Sequence, residues 1–231
     1  MSLRAQVLAA LDTVYDPELD EPIAALGFVA SCAVSDAGDI EVRLRLPTSQ
    51  CAPNFAYLMA ADSREALCRV PGVQRVSVVL DGHYTGDEIN ATVARGGDFD
   101  DAFPGETAGS LDALRELFRR KALVGRQGRA CQALLAGGAT VEDVAGLRVA
   151  ELPADADVTR CLALRRELGL PHGRDDAAFV GGDGTALTAA SLPAWLRRAR
   201  LMTLSLESNG ELCRSLLNVR YGGSQSEEVA A

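Results

Sequence analysis

The residue best placed to do chemistry in this 231-residue chain is Cys51. It follows Leu44-Arg-Leu-Pro-Thr-Ser-Gln and precedes Ala-Pro-Asn-Phe-Ala-Tyr-Leu-Met59. An alternating apolar strand runs into Pro47 and a Thr48-Ser49 turn, and an apolar helical pattern begins at Pro53. A thiol at that junction lies beside the first turn of a helix. Unpaired N–H groups and a partial positive charge there favour a thiolate, the form that attacks electrophiles and binds metals. The competing reading is plain packing, because free cysteine is among the most buried residue types. Spacing alone leaves both open.

Few other groups qualify as partners. Asp16-Pro17-Glu18 offers two carboxylates, either as hard oxygen ligands or as caps of a turn. His83 lies in a loop after a strand; its imidazole suits iron or zinc as a second ligand, or it is an ordinary surface-loop histidine. Thr48 either hydrogen-bonds the Cys51 sulfur or caps the following helix. Asp87 and Glu88 mark a helix start. The remaining cysteines are Cys32, Cys68, Cys131, Cys161 and Cys213. None forms a CxxC pair or sits near a histidine at metal-ligand spacing, so each reads as core filling. The rival is that one of them approaches Cys51 in space. A cysteine-nucleophile enzyme would want a base and an orienter, and only His83 is available in the N-terminal half, which disfavours catalysis.

Composition narrows the class. Hydrophobic residues make up 48%, enough for a core. Net charge is −9. Residues 1–100 hold 7 Arg and 15 Asp or Glu, a balance of −8, whereas the rest is close to neutral. An acidic chain without a basic patch is a poor nucleic-acid ligand. No apolar run approaches the length of a membrane span. The N-terminus lacks the apolar core and cleavage site of a signal peptide. Scattered thiols suit a reducing compartment. The expectation is a cytoplasmic protein that binds neither nucleic acid nor membrane.

The elements that must position Cys51 follow from periodicity. Leu3, Val7, Leu8, Leu11 and Val14 fall at helical spacing over residues 2–14. Asp16-Pro17 breaks that helix. Strands are expected at 28–35, 40–46 and 73–80, with a helix at 53–69 between the second and third. The second strand alternates Ile40, Val42, Leu44 and Leu46 against Glu41, Arg43 and Arg45. A strand–helix–strand crossover makes strands two and three parallel, so His83 falls on the same sheet edge as Cys51. The fold class expected is α+β: a helix–strand–strand–helix–strand domain with a small mixed sheet, then a mainly α-helical region. Boundaries are drawn at 1–95 for the first domain, 96–110 for a Gly- and acid-rich linker anchored by Phe99 and Phe103, 111–221 for a helical extension, and 222–231 for a frayed tail. Within the extension, Gly125 and Gly128 allow a break in the first helix. Thr140-Val-Glu-Asp143 resembles a capping box, a helix covers about 155–168, and two further helices are expected near Trp195 and at 209–220.

Residues 1–80 resemble the PaaD-like/SufT-like family of metal–sulfur cluster assembly proteins. The resemblance rests on Asp16-Pro17-Glu18-Leu19, Leu26-Gly27-Phe28-Val29, the strand Ile40–Leu46 followed by Thr48-Ser-Gln-Cys51-Ala-Pro53, and Pro71-Gly72-Val73. It implies a role in iron–sulfur cluster biogenesis, with the family's reactive cysteine at Cys51 and its Asp-Pro-Glu loop at Asp16, Pro17 and Glu18. Many members have Cys-Pro adjacent; here Ala52 intervenes. The whole chain looks like the longer factors that accompany bacterial di-iron monooxygenases, through Cys51-Ala-Pro-Asn-Phe-Ala-Tyr-Leu, Asp87-Glu-Ile-Asn90 and the helical extension. The resulting expectation is a non-catalytic maturation factor. Cys51 transiently binds iron, an iron–sulfur cluster or a client thiol, with Asp16, Glu18 and Thr48 beside the cargo and Cys51 and His83 as metal ligands. The client is a metalloprotein such as a di-iron monooxygenase component, and a homodimer bridging the cargo is one arrangement. The alternative is a metal-free scaffold that docks a monooxygenase component or a chaperonin.

Overall fold

A computed structural model describes residues 1–105 and 111–222. Two compact units emerge. One comprises Met1–Ala113 together with Asn209–Ala231, and the other Leu114–Ser208.

The first unit opens with α1 (Leu3–Leu11), capped by Ser2, whose hydroxyl accepts from the Ala5 N–H. Antiparallel β1 (Val29–Val34) and β2 (Asp39–Arg45) follow, then α2 (Pro53–Cys68) and β3 (Arg75–Asp81). The sheet order is β1-β2-β3, with β3 parallel to β2 and Arg45 opposite Asp81. This is the small mixed sheet that the alternation in residues 40–46 calls for. Ile40, Val42 and Leu44 are buried, while Glu41 and Arg43 face out. Because β2 and β3 run the same way, the segments that leave them emerge at one edge. Helix α3 (Gly86–Arg95) carries Asp87 and Glu88 in its first turn, where carboxylates complement the dipole.

The stretch expected to be a linker is partly structured. Helix α4 (Phe99–Ala102) is held by a capping box between Asp98 and Asp101. Phe99 and Phe103 are buried in the core, and Tyr57 meets Phe99 edge-on at 5.5 Å. Positions 106–110 of the linker, and the tail beyond residue 222, lie outside the described residues.

The second unit contains most of α5 (Leu111–Ala136), then α6 (Val141–Gly146), α7 (Ala156–Glu167) and the first half of α8 (Leu192–Tyr221). The Thr140–Asp143 capping box forms at the start of α6. Helix α5 runs unbroken through Gly125 and Gly128. A Cβ at Gly128 would stand 2.8 Å from the Ala199 Cβ, and one at Gly125 would stand 3.1 Å from Leu206. The glycines let two helix backbones close on each other, which offsets their poor propensity. Arg165, 1% exposed, donates to the carbonyls of Pro171, Ala177 and Ala178 and so ties the segment after α7. Arg126 and Arg129 share Asp157. Among the described residues no helix is long and apolar enough to cross a membrane.

Two expectations need correction. The helices foreseen near Trp195 and at 209–220 are one continuous helix, α8. Ser208-Asn209-Gly210 reads as a stop, yet Gly210 stays helical where a Cβ would meet a Glu21 carboxylate oxygen at 2.7 Å. Cys68, expected to fill core, is exposed, because it is the last residue of α2 and lies past the helix's buried face.

Candidate functional site

Cys51 sits immediately before Ala52, the N-cap of α2, and Pro53 takes the first helical position. The extra residue between cysteine and proline thus moves the thiol one step outside the helix. No side chain caps this helix end. Thr48 instead turns its hydroxyl to the Cys51 sulfur, Oγ1 to Sγ 3.5 Å, and accepts from the Gln50 N–H at 3.2 Å. Cys51 is half-buried and packs against the core.

His83 comes to the same edge, as the parallel crossover requires. Its Nε2 lies 2.7 Å from the Cys51 carbonyl oxygen. The Thr85 N–H, which can only donate, points at Nδ1 at 3.3 Å, and the Thr85 hydroxyl approaches that nitrogen at 3.0 Å. Nδ1 is therefore the acceptor and Nε2 carries the hydrogen donated to Cys51. Both ring nitrogens are engaged, and the imidazole fixes the backbone of the cysteine. The Tyr84 N–H donates to the Ser49 carbonyl at 3.1 Å and adds a second tie between the two loops.

Asp16 caps its own loop. Oδ1 accepts from the N–H groups of Glu18 at 2.9 Å and Leu19 at 2.8 Å, so the side chain builds the turn. Among the described residues Oδ2 takes no hydrogen bond and the carboxylate has no ion-pair partner. Yet Asp16 is only 7% exposed. Burial raises it to about 6 against those two N–H bonds, and the charges of Glu18 and Glu21 push in the same direction. Glu18 is half-buried beside it.

The fourth contributor is the C-terminal part of α8, which spacing along the chain does not single out. The last turns of α8 belong to the first unit and cross the loops of this edge. Arg214 pairs with Glu21 at 2.7 Å. Leu217 is buried, and a Cβ at Gly27, whose φ is +76°, would come within 3.2 Å of it. Arg220 donates to the Leu46 carbonyl at 3.0 Å and the Gly82 carbonyl at 2.6 Å. The Tyr221 ring receives the guanidinium of Arg45 at 5.1 Å and that of Arg220 at 5.0 Å. On the face so anchored, one turn before Leu217, is Cys213. It is half-buried, and its thiol is pushed up to about 11, first by burial and then by the Asp16 carboxylate, with Arg214 opposing. Cys213 shares helical spacing with Leu217, but that spacing does not say what the helix packs on.

The other thiols stand apart. Cys131 and Cys161 lie in the cores of the second unit, and Cys32 is part of β1. Among the described residues no three His, Cys, Asp or Glu side chains are grouped to hold a metal ion. What the edge offers is a thiol anchored by Thr48 at its sulfur and by His83 at its carbonyl.

A family model described as "Iron-sulfur cluster assembly protein" matches residues 4–78. The uncharacterized protein MJ1129 of Methanocaldococcus jannaschii is 32% identical over 90 residues, which is 39% of this chain and 93% of that protein. The family-model match falls on the part that carries Asp16 and Cys51, and the second unit lies beyond it.

Proposed function

Because this chain belongs, through its N-terminal residues, to the iron–sulfur cluster assembly protein family, we propose that Cys51 is the residue through which it handles cargo. The cargo is iron, a nascent cluster or a client thiol, held transiently and passed on. The observation that carries this reading is the support given to one thiol: a hydroxyl on its sulfur and an imidazole on its carbonyl, at the edge where two parallel strands end. The lack of a three-ligand group among the described residues fits cargo that leaves better than a resident ion.

The finer assignment is to a PaaD-like assembly factor in which the second unit recognises a client metalloprotein, with a di-iron monooxygenase component as the candidate that the long form suggests. Chemistry at Cys51 would then be ligand exchange, with His83 and Thr48 positioning the sulfur. The test is Cys51→Ser in the full chain, with metal loading of the client as the measurement. Loading at the wild-type level would remove Cys51 from the mechanism. The same sparse ligand set also favours a second reading, an adaptor without cargo. Anaerobic reconstitution with iron and sulfide separates the two, since an adaptor develops no sulfur-to-iron charge-transfer absorption.

A further inference from the structure

We infer that the outward face of α8 in the second unit docks an acidic amphipathic helix of the client protein. This rests on the reading of that unit as the part that recognises a client, and it names the surface and the chemistry of what the surface takes.

The face is defined by what lies behind it. Within the second unit, α8 packs on α5 through Ala199 and Thr203, both buried. A Cβ at Gly128 would stand 2.8 Å from the Ala199 Cβ, and the Thr203 hydroxyl donates to the Gly125 carbonyl at 3.4 Å. At about 3.6 residues per turn, Arg197, Leu201, Leu204 and Ser208 fall on the opposite side. All four are exposed, Leu201 to 70% and Leu204 to 49%. Arg198 and Arg200, also exposed, border this strip on its two sides.

Either feature alone is ordinary, since single exposed leucines need no partner and arginines are common on surfaces. Here they share one face, and nothing in the unit offsets the charge. Arg119, Arg120, Arg126, Arg129 and Arg160 of the same unit each hold a carboxylate. Among the described residues Arg197, Arg198 and Arg200 hold none, and the first turn of α8 has no acidic residue. Arg197 and Arg200 are three residues apart on one helix, a spacing at which like charges repel. A helix laid along the strip covers the two leucines with its own apolar residues. Carboxylates bordering those residues then meet the arginines and relieve the repulsion. From Arg197 to Ser208 the strip runs about 17 Å, or three turns of a partner helix. A nucleic acid would answer the arginines and leave the leucines in water. Membrane anchoring grows with buried apolar area, and two leucines supply little.

The experiment titrates the full chain into a fluorescein-labelled, lactam-bridged helical peptide of about 15 residues, with leucines one turn apart and glutamates beside them. Fluorescence anisotropy reads the binding. Wild type binds, and less tightly as salt rises. Reversing the three arginines together (Arg197→Glu, Arg198→Glu, Arg200→Glu) weakens binding at least about tenfold. Leu201→Ser with Leu204→Ser weakens it about tenfold. Every changed residue is exposed, and circular dichroism verifies the fold of each variant. A peptide with serines in place of its leucines binds wild type about tenfold less tightly, a comparison that needs no variant. Wild-type affinity in either variant, or equal binding of the serine peptide, overturns the proposal. So does tighter binding of phosphatidylglycerol vesicles or of a DNA oligonucleotide than of the peptide, and so does a wild-type dimer that the arginine variant dissolves. Failure of peptide binding removes the docking face alone and leaves the Cys51 test untouched. Peptide binding as expected, with client loading unchanged in the arginine variant, removes instead the client-recognition role of the second unit.

Discussion

Asp16→Asn isolates the cost of the buried carboxylate. The amide keeps an oxygen to accept from Glu18 and Leu19, so the turn survives while the charge goes. In the folded chain Asp16 titrates near 6 rather than at the ordinary carboxylate value of 3.8. A group whose folded value is raised binds its proton more tightly in the native state. Stability is then highest below the unfolded value and falls as pH rises from about 4 through about 6. A displacement of roughly two units corresponds to about 3 kcal/mol. Wild type should therefore lose up to about that much between pH 4 and 7, and Asp16→Asn should be more stable at pH 7 by up to the same amount, with no gain near pH 4. The chain's single tryptophan, Trp195, lies in the second unit and cannot report this. Hydrogen exchange of the β2 amides, Val42 and Leu44 above all, measures the first unit directly. A gain equal at every pH, or weaker protection in the variant at pH 7, would refute the account of Asp16 as an uncompensated buried charge.

Two further outcomes follow from packing and hydrogen bonding. His83→Phe removes the bond to the Cys51 carbonyl and should cost about 1 kcal/mol of first-unit stability; hydrogen exchange of the β2 amides measures it, and unchanged protection would refute the anchoring role of the imidazole. Gly128→Ala places a methyl 2.8 Å from Ala199 and should destabilise the second unit by about 1–3 kcal/mol, despite a better helix former at that position. Unfolding followed by Trp195 fluorescence checks the sign.

How far the sequence speaks depends on whether the determining contact is local. Strand β2 was legible because Ile40, Val42 and Leu44 alternate with charged residues, and the crossover to β3 followed from element order. The capping box at Thr140 was legible because its two partners are three residues apart. His83 and Cys51 could be assigned to one sheet edge, but not the hydrogen bond from imidazole to carbonyl, which depends on loop conformation. The continuity of α8 was hidden by Ser208-Asn209-Gly210, whose local preference is overruled by Glu21, Arg214 and Leu217. Cys213 was hidden for the same reason: a half-apolar helix face says that it packs, not against which of the two units.

The return of α8 to the first unit sets an order of events during synthesis. Residues 114–208 are inserted, in sequence terms, between the two parts of the unit that carries Cys51. A ribosome exposes Cys51, Asp16 and the whole sheet long before residue 213 leaves the exit tunnel. Until then the seat for Leu217 beside Gly27 is empty, and the Leu46 and Gly82 carbonyls lack their Arg220 donor. Completion of the edge is thus coupled to completion of the inserted helices. A chain interrupted anywhere in the second unit would retain Cys51 but lack the turns of α8 that pack on Gly27 and tie the Leu46 and Gly82 carbonyls.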